Sequence, residues 1–101
     1  HQQSFQRRLK LNNETKIFTR EEICEQFGDD IIFADGFDSA IIGIACGHDS
    51  GRVVYDYEKM VEACMSQTGM SYEDSIEWVE FNAIGSYIGK ETPIYVDRPL
   101  L

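Results

Sequence analysis

SYEDSIEWVEFNAIGSYIGKETPIYVD, residues 71–97, decides how this chain is read. Ser71 stands three residues before Asp74, the spacing at which an N-cap hydroxyl accepts from the N3 amide. Tyr72, Ile76, Val79, Ala83 and Tyr87 recur at steps of three and four, one face of a helix. Phe81, Ile84 and Ile88 make a second apolar face, with Trp78 beside it. A helix apolar on two faces is expected to be packed on both. Gly89 ends it, and residues 93–96 read as a closing strand whose Pro93 puts it at a sheet edge or a strand start. Glu80 and Asn82 sit inside the apolar half, where a polar group must either face a site or be satisfied within the core.

Upstream, Asp56 is placed to cap a helix over residues 57–67, with Met60, Val61, Cys64 and Met65 as its apolar stripe. Gly69 supplies a left-handed stop, so this helix and the next meet in an αα-hairpin or a sharp corner. Three apolar, β-branched runs precede them: residues 31–34, 40–46 and 52–56. The turn Asp35-Gly36-Phe37-Asp38 and the loop over residues 47–51 are too short for parallel crossovers, so an antiparallel meander is expected. The run 40–46 is the longest and is assigned the centre. A first helix begins at Thr19, where Thr19 and Glu22 have capping-box spacing and Phe18 and Ile23 form a staple. Gly28 closes it.

The predicted fold is α+β: an N-terminal helix, a three-stranded antiparallel meander, two consecutive helices on one face, and a final edge strand. Residues 19–101 make a single domain, and residues 1–18 a basic tail or marginal strand. The expected core is Ile31, Phe33, Ile41, Ile42, Ile44, Val53, Tyr55, Met60, Val61, Cys64, Ile76, Val79, Ala83, Ile84 and Ile94. A helix apolar on several sides also suggests that a homodimer completes this core.

Charge divides the chain. Residues 1–20 carry five basic side chains against one acidic, +4; residues 21–101 carry four basic against seventeen acidic, −13. Such a body repels phosphate backbones and anionic lipid, so neither direct nucleic-acid binding nor a membrane partner is expected. No apolar run reaches the ~20 residues of a membrane span, and no apolar stretch follows the first basic residues as in a secretory signal. Cys24, Cys46 and Cys64 form no CxxC pair and are read as buried free thiols in a reducing cytoplasm.

The segments DGFDSAIIG, VVYDYEKMVE and EWVEFNAIGSYIGKETPI together resemble a family of small uncharacterised proteins encoded by tailed bacteriophages and prophages. Gly36, Phe37 and Asp38 match its Gly-Phe-Asp turn, and Gly69, Met70, Ser71, Glu73 and Asp74 its helix start. Glu80, Phe81, Asn82, Gly85, Ser86, Tyr87, Gly89, Thr92 and Pro93 match its ending. Ser75 stands where that family carries alanine. The resemblance covers residues 19–96 and leaves the basic arm outside. It implies a phage gene expressed in the cytoplasm of a bacterial host, and it brings no activity with it.

Few residues carry chemistry. Glu80, with Asn82 and Tyr87, is the candidate polar site: a carboxylate held in apolar surroundings would serve as an acid or base, given a cleft and a partner. The plainer reading is that Glu80 and Asn82 bond backbone groups and hold the packing together. Asp35 and Asp38 are turn carboxylates, and with His48 and Asp49 they match no metal-ligand spacing, so neither metal nor cofactor is expected. Cys46 and His48 lack an orienting third group for nucleophilic work. The acidic body could instead imitate a phosphate track. The expectation is a non-enzymatic accessory protein that binds a host or phage protein, in host takeover or anti-defence. The alternative is a small enzyme or ligand-binding protein using Glu80, Asn82 and Tyr87.

Overall fold

The computed structural model describes residues 18–86 and 88–99. The expected tail or strand over residues 5–11, and the candidate site residue Tyr87, lie outside them. The described chain is mixed α+β, with three helices and a three-stranded sheet.

Local signals act where they were expected. In helix α1 (Arg20–Phe27) the Thr19 hydroxyl accepts from the Glu22 amide at 3.1 Å, and the Glu22 carboxylate accepts from the Thr19 amide at 3.3 Å. Asp56 caps α2 (Tyr57–Thr68) through the Lys59 amide, and Ser71 caps α3 (Tyr72–Val79) through the Asp74 amide. Gly69, at φ 77°, occupies the left-handed position between α2 and α3, where a side chain would be strained.

The sheet departs from the expected meander. Strand β1 (Ile41–Ile44) pairs antiparallel with β2 (Val53–Asp56), with a bulge between Ile41 and Gly43. Strand β3 (Ile94–Val96) pairs with β2 in parallel, in the order β1-β2-β3. Strand β2, from the shorter apolar run 52–56, is therefore central, and the longer run 40–46 supplies an edge. The direction of β3 follows from its connection: α2 and α3 make the long crossover that a parallel neighbour requires. The first expected strand, residues 31–34, pairs with neither neighbour as a ladder. It is tied down by a side chain instead, the Ala34 amide donating to the Tyr55 hydroxyl at 2.7 Å.

The core lies between β1–β2 and the inner faces of α2 and α3. Val53, Tyr55, Met60, Val61 and Val79 are fully enclosed, and Ile23, Phe37 and Ala40 join them from the first helix and the turn after it. Phe18, Ile31, Phe33 and Met70 pack around this centre. Ile84, expected in the core, is exposed. Of the cysteines only Cys64 is buried; Cys24 is half-buried and Cys46 is exposed, because β1 ends two residues before it.

Candidate functional site

The segment expected to be one helix packed on both faces changes character midway. After Val79 the backbone opens into a π-helical turn, Glu80–Ile84, closed by the Gly85 amide donating to the Glu80 carbonyl at 2.8 Å. The wider turn keeps Ala83 buried and carries its neighbours outward. Such single π turns are rare and concentrate at functional positions. Gly85 fits because a Cβ there would stand 3.0 Å from the Glu80 carbonyl oxygen and 3.2 Å from that of Phe81.

The outer face is unpartnered among the described residues. Phe81 is 83% exposed, and Ile88, Trp78 and Ile84 also show large fractions of their surface. Trp78 is steadied from beneath, its ring 6.1 Å from that of buried Phe37 and tilted by 50°. Met70, Asp74, Glu77, Trp78, Glu80 and Phe81 line an open trough of about 730 Å³. Asp74, Glu77, Trp78 and Phe81 follow one another at i, i+3, i+4 and i+7, the stripe that a single helix face presents. That spacing was legible in the sequence; what it did not reveal was that none of the other described residues covers the stripe.

The site residues named from the sequence separate. Glu80 lines the trough and is exposed, so the premise of a carboxylate held in apolar surroundings does not apply. Its charge is felt by Tyr57, whose hydroxyl is pushed up first by burial and then by Glu80, Asp97 and Glu58. Asn82 turns back along its own helix, its amide donating to the Trp78 carbonyl at 3.0 Å. This is the internal backbone bond expected of it, but it is made on an exposed helix surface and not in a core. Glu80 and Asn82 therefore do not form a buried network.

Asp35 and Asp38 are brought together by a residue that had been counted with the basic arm. Arg20 pairs with Asp35 at 3.0 Å and Asp38 at 2.9 Å, and its guanidinium lies 4.8 Å from the centre of the Phe33 ring. Burial works against the Arg20 charge, but hydrogen bonds and attraction from Asp35 and Asp38 outweigh it and raise its pKa. These carboxylates thus fasten α1 to the Gly36 turn. Asp49 is similarly engaged: Arg52 binds its carboxylate at 2.7 Å and donates to the Thr92 carbonyl at 2.6 Å. A smaller polar hollow of about 330 Å³ lies there, lined by His48, Arg52, Lys90 and Glu91 among others. Among the described residues, no three His, Cys, Asp or Glu side chains converge as a metal site would require.

No family of known proteins matches this chain, and neither does any curated protein or solved structure.

Proposed function

We propose that this chain is a small acidic accessory protein of the phage type that works in a bacterial host by binding another protein, without catalysis. One observation carries the reading: Phe81 stands 83% exposed beside Trp78, at a trough lined in part by carboxylates. Buried aromatic anchors supply much of the energy of protein interfaces, roughly 2 kcal/mol or more at each hot spot. Contiguous apolar surface rimmed by polar groups marks interaction sites on soluble proteins. The −13 of residues 21–101 supports the same reading, because such a field accelerates encounter with a basic partner. The resemblance to phage and prophage proteins supplies the setting. The experiment is capture from bacterial lysate at low and high salt, with the chain and its Phe81→Ser variant as baits. The expected result is a protein held by the chain at low salt, released at high salt and not held by the variant. Capture indifferent to Phe81, or no capture, overturns the reading.

One observation favours the alternative of a small-ligand site: Glu80 lines the trough and is exposed, and among the described residues no hydrogen bond or ion pair engages its carboxylate. The trough is open along its length, whereas small-molecule sites enclose about 70–90% of their ligand. A protein surface fits it better.

A further inference from the structure

We propose that the trough on α3 and its π turn receives a basic, amphipathic helical segment of the partner, with an apolar side chain seated between Trp78 and Phe81 and lysine or arginine on Asp74, Glu77 and Glu80. This inference rests on the protein-binding reading and names the chemistry of the occupant. The lining is apolar at Met70, Trp78 and Phe81 and acidic at Asp74, Glu77 and Glu80; none of the described lining residues is basic. From Ser71 to Ser86 the chain holds four carboxylates and no lysine or arginine. An apolar lining with charges of a single sign selects the opposite charge pattern on an amphipathic partner. The same carboxylates argue against a second copy of this chain. A two-fold interface sets identical patches face to face, and here it would oppose carboxylate to carboxylate around the aromatic pair.

Trp78 is the only tryptophan of the chain, so its fluorescence reports on the trough directly. The probe is a tryptophan-free peptide of about 15 residues, leucine at helical spacing with lysine between. Its controls replace lysine by glutamate in one case and leucine by serine in the other. The expected result is a saturable blue shift of Trp78 with the leucine–lysine peptide alone, abolished at about 0.5 M salt. Affinity should fall about tenfold or more in Phe81→Ser and in the double variant Glu77→Lys, Glu80→Lys, and by less than about twofold in Glu25→Lys, which lies on exposed α1 outside the trough. The absence of a saturable shift overturns the proposal. So does equal binding of either control peptide, or an equal loss in Glu25→Lys. Sedimentation as a dimer that Phe81→Ser dissociates would assign the trough to a second copy and would also overturn it. Lysate capture that depends on Phe81, without a peptide response, refutes this inference alone. A peptide response without lysate capture refutes the functional reading and leaves the chemistry of the trough standing.

Discussion

Asp56 and Arg98 form a charge pair of which only one partner is sealed: the carboxylate side chain is 2% exposed and the guanidinium 62%. Asp56 Oδ1 accepts from the Lys59 amide at 3.1 Å, and Oδ2 meets Arg98 as a charge contact without hydrogen-bond geometry. One carboxylate thus joins the end of β2, the start of α2 and the segment after β3.

Asp56→Ala removes a cap of about 1 kcal/mol and the pair with it, whereas Asp56→Asn keeps a capping oxygen and should cost less. Arg98→Ala should cost about 1 kcal/mol, near the upper end for a pair with one partner in water. In the Asp56→Asn background the same change should cost almost nothing. A urea double-mutant cycle measures the difference, and equal losses in both backgrounds would show that the pair contributes nothing.

Tyr55 predicts an alkaline limit. Burial raises its pKa to about 12, Asp38 adds to this, and the Ala34 amide and Arg20 oppose it. The unfolded tyrosine titrates near pH 10, so the native state holds its proton where the unfolded state has released it. This contribution is complete below about pH 10 and is lost as pH rises towards 12, on the order of 2–3 kcal/mol. Tyr55→Phe should be less stable at pH 7 by about 1–2 kcal/mol, since the Ala34 amide loses its acceptor. Its stability should then fall less steeply between pH 10 and 12. Parallel pH curves for the two proteins would contradict this.

Ser75 predicts a stabilising change. Its hydroxyl is fully buried and has no hydrogen-bond partner among the described residues. Ser75→Ala removes that unmet group and improves helix propensity, for a gain of about 1 kcal/mol and a rise in Tm of about 4–8 °C. Thermal unfolding followed by circular dichroism decides it; a lower Tm would show that the hydroxyl is satisfied.

Gly85 tests the π turn. Its φ of −73° suits any residue, so a methyl group acts through space alone. In Gly85→Ala the Cβ would meet two backbone carbonyls at 3.0 and 3.2 Å, which outweighs the entropy gained in the unfolded chain. The expected net loss is about 1 kcal/mol. An unchanged or higher urea midpoint would mean that the turn relaxes readily to α-helix.

Glu80→Gln should leave stability within about 0.5 kcal/mol, as for an exposed side chain with no hydrogen bond or ion pair among the described residues. A large loss in urea would restore the view that Glu80 holds the packing together.

The parts legible in the sequence are those decided within a few residues. Thr19 with Glu22, Asp56 with Lys59, and Ser71 with Asp74 are contacts three residues apart, made once the helix turns. The apolar stripe of α2 was legible for the same reason, because a helix period and its buried face are both local properties. The candidate site was only partly legible. Trp78, Phe81, Ile84 and Ile88 could be grouped on one face, yet apolarity does not say whether a neighbour covers it. Glu80 drew notice for its apolar company, which turned out to be exposed beside it.

By itself, the sequence determined where the helices start, their N-caps, the turn at Gly36, an acidic body and an α+β chain. Only the tertiary structure decided that β2 is central, that β3 runs parallel to it, and that residues 31–34 are held by the Tyr55 hydroxyl in place of a ladder. It alone decided that Arg20 gathers Asp35 and Asp38, and that a π turn carries Phe81 into the open. The physical reason is range: caps and periods are set by neighbours along the chain, while strand order, ion pairs and coverage depend on groups tens of residues apart, whose meeting no local pattern records.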